Sequence, residues 1–185
     1  PVKSVRGVFA YVTCPMLLNR LCEDKKLISS EELKNGFIVP KIDTLNDDKC
    51  IVLGNKNTIG DKVILEEYSF EVQKTESTEF IKLPDLNIEK NRIVIISDDN
   101  FTHFVKNSTE VITRIRIGEN GVVAKGGLFT EEFLPAESVM YALAIGEVDK
   151  FTKDDVKILQ IGGDTNLGKG IVELTIGVVE AKDGN

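Results

Sequence analysis

The sequence predicts an α+β fold in which an antiparallel β-sheet is backed by helices. Three observations predict it: strand-like runs outnumber helix-like runs, the helix-like runs are short and separate the strands, and two alternating runs flank a tight-turn signal at Asn120-Gly121. The chain has 185 residues and is 42% hydrophobic, which is enough to bury one core of ordinary size. We therefore expect one domain that carries a sizeable insertion.

The amino-terminal elements are predicted to be a strand and a helix. Residues 7–13 are β-branched and aromatic, which is typical of a buried strand. Pro15 suits the first turn of a helix, and leucines continue the helical spacing to Leu21. The charged run that follows predicts further helix, with a capping box over residues 29–32 and a stop at Gly36.

The middle of the chain is predicted to alternate strands and turns. A short strand is expected over residues 50–53 and a longer one over 62–72. A further apolar strand ends at Ser97, which is a good N-cap for a short helix. Three apolar residues of that helix are expected on one face: Phe101, Phe104 and Val105.

The run TRIRIGENGVVAKGGLF predicts a β-hairpin. Asn120-Gly121 tolerates the positive φ angles of a tight turn, and alternating runs flank it. In the first run Arg114 and Arg116 share one face, while the isoleucines mostly take the other. After the hairpin, residues 137–148 predict a strand, and residues 152–160 a helical turn capped by Thr152.

The run IGGDTNLGKGI nearly spells a nucleotide-binding loop. Gly163, Gly168 and Lys169 satisfy a GxxxxGK pattern, but Gly170 stands where a Ser or Thr hydroxyl should reach magnesium. Such a loop also needs a helix after it, whereas residues 170–181 alternate and predict the last strand. A nucleoside triphosphate site is therefore disfavoured.

Two interpretations of the glycine loop stay open. In one, it is a glycine-rich turn that joins two core elements. In the other, it is a backbone-lined phosphate cradle without hydrolysis, because glycines let the main chain approach a ligand closely and Lys169 adds charge. The loop taken alone does not decide between them.

Composition argues against several classes of protein. The net charge of −7 argues against a protein that coats nucleic acid indiscriminately, although a local basic groove stays open. Three cysteines without CxxC spacing and one histidine, His103, argue against a disulfide framework or a zinc site. The sequence has no signal peptide and no apolar run long enough to cross a membrane, so we expect a cytoplasmic protein without a membrane partner.

Three motifs, read in order, resemble those of one family. IGGDTNLGKGIVEL resembles the carboxy-terminal glycine-rich motif of the RAMP superfamily of CRISPR-associated proteins. TEVITRIRIGENGVVAKGGLFTEEFLPAES resembles the thumb hairpin of their backbone subunits. VRGVFAYVTCPMLLNRL is similar to a segment of the backbone subunit of the type III-B (Cmr) effector complex. The chain is thereby identified as a member of this superfamily.

The resemblance implies a modified ferredoxin-like (RRM-like) palm with a protruding β-hairpin thumb. It implies a single domain over residues 1–185, with the thumb at 109–135 and an insertion-like region at 23–90, where the likeness is weakest. The catalytic aspartate of the family lies upstream of the part that matches this chain. The chain is therefore expected to lack the amino-terminal part of the domain and that acid with it.

The resemblance also implies a function. Such subunits form a filament with copies of themselves on CRISPR guide RNA and join the other subunits of the type III-B complex. They are described as cutting complementary target RNA with a divalent metal, expected to be Mg²⁺, and no tightly bound cofactor is implied. Without the upstream aspartate, this chain is expected to bind guide RNA and to lack cleavage by itself.

Eight residues are assigned to RNA binding through the resemblance. Arg114 and Arg116 would track phosphates or stack on displaced bases, although an ordinary solvated face balanced by acids is the alternative. Lys125, on the returning strand, would reach the same backbone. The glycine motif supplies the other five: Gly162, Gly163, Gly168, Lys169 and Gly170.

Glu131 and Glu132, at the end of the hairpin motif, are the candidate catalytic residues. Paired carboxylates can hold a metal or activate an attacking hydroxyl, and the family places acidic and aromatic residues here. The alternative is that one glutamate faces solvent while its neighbour bonds backbone at the strand end. Phe129 and Phe133 pack either beneath a displaced base or in the core, and His103 is expected to be structural.

Two other functions stay open. One is a related ribonuclease that matures the guide precursor, which typically uses a His or Tyr constellation and which the thumb motif disfavours. The other is a plain protein-interaction domain whose glycine loop is only a turn. Salt-sensitive binding to short RNA separates the interaction domain from an RNA-binding scaffold.

Overall fold

A computed structural model describes residues 1–26, 42, 44–74, 88–143 and 158–174 of the chain. Helices and strands are mixed along these residues, which confirms the α+β class. Contacts divide the chain into two compact units. The first contains Pro1–Leu17, Ile42–Thr78 and Glu89–Met140, and the second contains Leu18–Lys41, Glu79–Ile88 and Tyr141–Asn185. The single-domain assignment stays a prediction.

Two α-helices lie within the described residues, α1 (Pro15–Lys26) and α2 (Asp98–Asn107). Both begin where the sequence predicts. Pro15 opens α1, and the Oγ of Ser97 accepts a hydrogen bond from the backbone N–H of Asn100 at 3.2 Å, which caps α2. The capping box over residues 29–32 and the stop at Gly36 lie outside the described residues.

Seven strands of the first unit form one sheet. In chain order they are β1 (Val2–Ser4), β2 (Val8–Thr13), β3 (Lys49–Val52), β4 (Thr58–Ile59), β5 (Lys62–Leu65), β6 (Tyr68–Val72) and β7 (Ile93–Ile95). Their spatial order is β1-β2-β7-β3-β6-β5-β4. A further pairing of β1 with β5, through Ser4 and Leu65, closes the sheet into a barrel-like arrangement.

The expectation of an antiparallel sheet is correct for most neighbouring strands and wrong for two pairs. β2 runs parallel to β7, and β3 runs parallel to β6. Parallel neighbours require a long connection rather than a tight turn. Between β2 and β7 the chain passes through α1 and then through β3, β4, β5 and β6, which supplies the long connection.

The single strand predicted over residues 62–72 is a hairpin of β5 and β6. Leu65 pairs with Tyr68, so the chain reverses at Glu66-Glu67, where Glu66 has a φ of +52°. Glycine or asparagine usually marks such a position, and neither is present to signal the turn. The Oγ of Ser108 donates a hydrogen bond to Glu66 Oε1 at 3.0 Å, which helps to hold the glutamate there.

The core of the first unit lies between the sheet and α2. Phe104 is 2% exposed and Phe101 is partly buried, as the apolar face predicts, whereas Val105 is 53% exposed and lies outside that face. The buried cluster consists of Val2, Ala10, Cys50, Val63, Leu65, Phe70, Val94, Ile96 and Phe104.

Two further pairs of strands form separate two-stranded sheets among the described residues. β8 (Glu110–Ile117) and β9 (Val123–Phe133) form the predicted hairpin in the first unit, with Gly121 at a φ of +76° in its turn. β10 (Ile158–Gln160) and β11 (Ile171–Glu173) pair in the second unit. β10 corrects the helical turn predicted over residues 152–160, of which 152–157 lie outside the described part.

The strand predicted over residues 137–148 is absent from its described portion, 137–143, which is a turn followed by irregular chain. Apolar residues there are exposed rather than paired, including Met140 at 72%. Over the parts of the chain that the structure describes, no helix combines the length and the apolar character needed to cross a bilayer.

Candidate nucleic-acid interface

The β8–β9 hairpin has two chemically different faces. Side chains of directly paired residues lie on the same face of a sheet, and Arg114 pairs with Phe129 while Ile115 pairs with Leu128. We call one side the arginine face; it carries Glu110, Ile112, Arg114, Phe129, Glu131 and Phe133. We call the other the apolar face; it carries Val111, Thr113, Ile115, Leu128, Thr130 and Glu132.

On the arginine face, Arg114 is held between an acid and an aromatic ring. Its Nη1 atom lies 3.0 Å from the buried Oε2 atom of Glu131, and its guanidinium carbon lies 5.5 Å from the centre of the Phe133 ring. The side chains are 21% and 32% exposed for Arg114 and Glu131, so water screens the pair only in part. The assignment of Arg114 to RNA stays a prediction, and any RNA contact would compete with this ion pair.

Arg116 is in a different environment from Arg114, although the two are two residues apart. The hairpin register shifts between Ile115, which pairs with Leu128, and Ile117, which pairs with Val123. Arg116 therefore lies opposite residues 124–127, an excursion of the returning strand. Arg116 and Lys125 are both exposed at this bulge. The bulge thus presents two cations to solvent.

Glycine residues make the bulge possible. Gly126 has a φ of +68°, which side-chain-bearing residues rarely adopt. A Cβ on Gly127 would lie 2.8 Å from the carbonyl oxygens of both Arg116 and Ala124, closer than any real contact. The sequence motif AKGG therefore places Lys125 on an excursion that an ordinary strand would not form.

Glu131 and Glu132 do not converge on one point. They are consecutive residues of β9, so their side chains leave opposite faces of the strand, Glu131 beside Arg114 and Glu132 exposed. The paired-carboxylate arrangement is therefore not formed by these two residues. Throughout the described ranges, no group of three or more His, Cys, Asp or Glu could hold a metal ion. Their assignment as catalytic residues stays a prediction.

The glycine loop, residues 161–170, joins β10 to β11 in the second unit. A short 3₁₀ turn, Thr165–Leu167, lies in its middle, and the strand β11 follows it. The strand predicted over residues 170–181 is confirmed at Ile171–Glu173, and its residues 175–181 lie outside the described part. The helix that a nucleotide-binding loop needs does not occur at Ile171–Glu173. Positive φ angles at Gly162, Asp164 and Gly168 turn the chain back on itself.

Gly170 has a steric reason to be glycine. Its φ is +73°, and a Cβ there would lie 2.0 Å from the carbonyl oxygen of Ile161. The backbone of Gly170 also accepts a hydrogen bond from the Ile161 N–H at 2.8 Å. The Ser or Thr of a nucleotide-binding loop therefore has no room at this position. At Gly162, Gly163 and Gly168, by contrast, an added Cβ would meet nothing within 4 Å.

Gln160 organises the glycine loop through its side chain, and no signal in the sequence pointed to it. Its side-chain Nε2 donates toward the carbonyl oxygen of Gly162 at 3.0 Å. The carbonyls of Gly163 and Lys169 lie 3.4 Å from the same nitrogen, and that of Ile161 lies at 3.5 Å. Four backbone acceptors thus surround one side-chain amide. In the sequence, the arrangement shows only as a donor side chain, an amide or a cation, at the end of the strand before the glycine loop.

The single histidine and two of the three cysteines lie in surroundings typical of residues with a structural role. His103 is exposed on α2, its ring centre 5.1 Å from that of Tyr68 in an edge-to-face arrangement, and Asn107 Nδ2 lies 3.2 Å from its Nδ1. Cys14 and Cys50 are fully buried and free. Burial raises the pKa of the Cys14 thiol to about 11 and that of Cys50 to about 12, so neither is poised as a nucleophile or metal ligand.

The RAMP superfamily matches residues 1–173 of this chain. The chain belongs to that superfamily. It is 34% identical over 200 residues to the CRISPR system Cmr endoribonuclease Cmr4 of Pyrococcus furiosus, across 95% of this chain and 65% of that protein. It is 28% identical over 171 residues to the CMR subunit Cmr4 of Saccharolobus solfataricus, across 84% of this chain and 51% of that protein. The chain therefore spans between half and two thirds of the length of these relatives.

Solved Cmr4 structures share the fold. The crystal structure of oligomeric Cmr4 from Pyrococcus furiosus has a TM-score of 0.60 and 27% identity, across 95% of this chain and 67% of that one. A chain in the cryo-EM structure of the type III-B Cmr-beta complex bound to cognate target RNA has a TM-score of 0.61 and 27% identity, across 90% of this chain and 60% of that one. The family expected from three motifs is thus confirmed.

Proposed function

We propose that this chain is part of a guide-RNA-binding backbone subunit of a type III-B CRISPR interference complex. The observation that carries the proposal is the 34% identity to Cmr4 across 95% of the chain. That likeness takes in both the hairpin and the glycine loop. The chain binds RNA without reading its sequence, because its candidate contacts are cationic side chains and backbone amides that suit phosphates rather than base edges.

The hairpin is the thumb of such a subunit, at residues 109–135, and the barrel-like sheet corresponds to its palm. Support comes from the strand pairing: among the described residues β8 and β9 pair only with each other, which leaves the hairpin outside the seven-stranded sheet. A modified ferredoxin-like palm, an insertion-like region at 23–90 and a single domain over residues 1–185 complete this part of the proposal.

The RNA contacts on the hairpin are Arg116 and Lys125. Both side chains are exposed at the bulge, whereas Arg114 is engaged with Glu131. The acidic net charge of −7 does not oppose this, because phosphate binding depends on where the cations lie. Lys169 and the glycines of the loop at 161–170 supply a second set of contacts in the other unit.

The partners are CRISPR guide RNA, target RNA, other copies of the chain and the other subunits of the complex. One similar structure is of oligomeric Cmr4 and another is of a complex bound to cognate target RNA, and these support the assignment. A cytoplasmic location, without a membrane partner, belongs to the same proposal.

Cleavage of target RNA with Mg²⁺ requires acidic side chains that converge on the metal ion. The described residues do not fit a divalent metal, because Glu131 and Glu132 leave opposite faces of β9 and no three potential ligands converge among those residues. No catalytic step follows from them. RNA binding, rather than cleavage, is therefore the activity proposed for the described part of this chain.

Fluorescence anisotropy with labelled single-stranded RNAs of unrelated sequence tests the proposal. The wild type is expected to bind them with similar affinity, and Arg116→Ala/Lys125→Ala to bind about tenfold more weakly at fixed salt. Lys62→Ala/Lys106→Ala removes the same charge from exposed residues of β5 and α2 and is expected to bind like the wild type. Equal weakening in both double variants would overturn the assignment to the hairpin.

A further inference from the structure

The backbone of the glycine loop has an inner and an outer side. Carbonyl oxygens of Ile161, Gly162, Gly163 and Lys169 all point toward the Nε2 atom of Gln160, at 3.0 to 3.5 Å. In a planar trans peptide the C=O and the following N–H point in opposite directions, and the described residues contain no cis peptide bond. The N–H groups that follow these four carbonyls, on Gly162, Gly163, Asp164 and Gly170, therefore point away from Gln160.

This orientation decides which ligand the loop suits. The inner side presents only acceptors and is filled by an amide donor of the chain itself. The outer side presents the successive N–H groups of Gly162 and Gly163, both exposed, and successive N–H groups of this kind form an anion-binding surface. The chemistry of the outer side is that of a phosphate, either in a polynucleotide backbone or free.

We propose that Gln160 is the positioning residue of this phosphate-binding surface. Resting on the proposed function, the proposal assigns the phosphate to a phosphodiester of the bound RNA. Gln160 does not touch the RNA; its Nε2 gathers four carbonyls on the inner side and thereby turns the amides of residues 162 and 163 outward.

The steric position of Gly170 supports the same arrangement. A Cβ on Gly170 would lie 3.2 Å from Gln160 Nε2 as well as 2.0 Å from the Ile161 carbonyl oxygen. The glycine thus leaves the space that the amide occupies. Gln160 also pairs with Ile171 across the β10–β11 ladder, so its side chain starts from a strand rather than from a loop.

Two substitutions of Gln160 separate a positioning role from mere bulk. Gln160→Glu keeps the shape but replaces the donor by an acceptor, which the carbonyls repel. Gln160→Lys supplies an ammonium with three donors to the same oxygens. Gln73→Glu makes the same charge change at an exposed residue after β6 and is the matched control.

The experiment measures hydrogen exchange of residues 161–170 by mass spectrometry and RNA affinity by anisotropy, on the full chain. Gln160→Glu is expected to raise both the exchange rate and the dissociation constant about tenfold, while Gln160→Lys and Gln73→Glu stay within about threefold of the wild type. RNA is expected to slow the exchange of residues 161–170, whereas inorganic phosphate alone, matched in ionic strength to a chloride control, is expected to leave it unchanged.

Three results would overturn the proposal. Unchanged exchange in Gln160→Glu would mean that Gln160 does not organise the loop. Faster exchange with unchanged RNA affinity would mean that the organised loop does not bind RNA. Slower exchange of residues 161–170 with phosphate alone, and not with RNA, would assign the surface to the free anion. If the wild type binds no RNA, the proposed function fails, and the exchange rates still report whether Gln160 organises the loop.

Discussion

Arg114 and Glu131 form a diagonal ion pair across the hairpin, with 3.0 Å between Nη1 and Oε2. The register pairs Arg114 with Phe129 and Glu131 with Ile112, so the contact joins residues one step removed from direct partners on the same face. This pair limits the accessibility of Arg114, whose side chain is 21% exposed. Arg114 has an acid beside it, and Arg116 is exposed at the bulge.

Truncation of Arg114 is expected to affect stability, and truncation of Arg116 to affect RNA binding. Arg114→Ala leaves the Glu131 carboxylate half-buried without its cation and should lower the free energy of unfolding by on the order of 1 kcal/mol, after allowance for solvent screening. Arg116→Ala should leave stability unchanged and weaken RNA binding. Urea unfolding and RNA anisotropy on both variants check this; a larger stability loss at Arg116 than at Arg114 would contradict it.

Completing the nucleotide-loop pattern should damage the glycine loop rather than create a site. Gly170→Ser forces a Cβ against the Ile161 carbonyl at a positive φ, so the hydrogen bond from the Ile161 N–H to Gly170 should break. Hydrogen exchange at Ile161 is expected to rise about tenfold or more. Gly163→Ser, which meets nothing within 4 Å, is the control and should leave that exchange unchanged.

Val8 is expected to be a position where glycine stabilises the protein. Val8 has a φ of +73° and is 78% exposed. The N–H of Phe9 donates a hydrogen bond to the Gly7 carbonyl at 2.9 Å, so Val8 is the central residue of a strained γ-turn. Val8→Gly relieves strain of about 1–2 kcal/mol, less the entropy that glycine adds to the unfolded chain. Thermal unfolding should show a higher midpoint.

Val5→Gly is the matched control for that substitution. Val5 is also exposed, at 64%, but has no positive φ, so the same exchange should lower the midpoint. A lower midpoint in both variants would mean that Val8 carries no strain.

The buried thiols predict a loss of stability at alkaline pH. Burial raises the pKa of Cys14 to about 11 and that of Cys50 to about 12, from an ordinary value of 9.0. Above pH 9 the unfolded chain ionises these thiols while the folded chain keeps them protonated, so stability is full below pH 9 and falls as pH rises toward 11–12. At pH 10 the loss is on the order of 1 kcal/mol per thiol.

Urea unfolding at pH 8 and pH 10 measures that loss, with Cys14→Ala/Cys50→Ala as the comparison. The variant is less stable at both values because it loses buried volume, but the part of the pH dependence due to the thiols should disappear. An identical change between the two pH values in wild type and variant would contradict the prediction.

Sequence reasoning predicts best the elements whose signals are local. The N-cap at Ser97, the hairpin turn at Asn120-Gly121 and the strand after the glycine loop each depend on a few adjacent residues, and the structure has all three. The turn at Glu66-Glu67 was missed because its residues do not carry the usual turn signal. The parallel pairing of β2 with β7 depends on distant segments, which periodicity does not report.

The candidate site was only partly predictable for the same reason. The residue types of the hairpin and loop suggest phosphate contacts, but the ion pair of Arg114 with Glu131 depends on hairpin register. The bulge that exposes Lys125 depends on two glycines whose steric role appears only in three dimensions. Gln160 was missed because its partners are backbone carbonyls, which carry no mark in a sequence.

The salt dependence of RNA affinity tests the central claim most directly. Each phosphate contact to single-stranded RNA contributes about 0.7 to the slope of log Kd against log salt concentration. For Arg116→Ala/Lys125→Ala the slope is expected to fall by about 1.4 relative to the wild type, with weaker binding at every salt concentration. A slope and an affinity equal to those of the wild type would show that the hairpin bulge does not bind the RNA backbone.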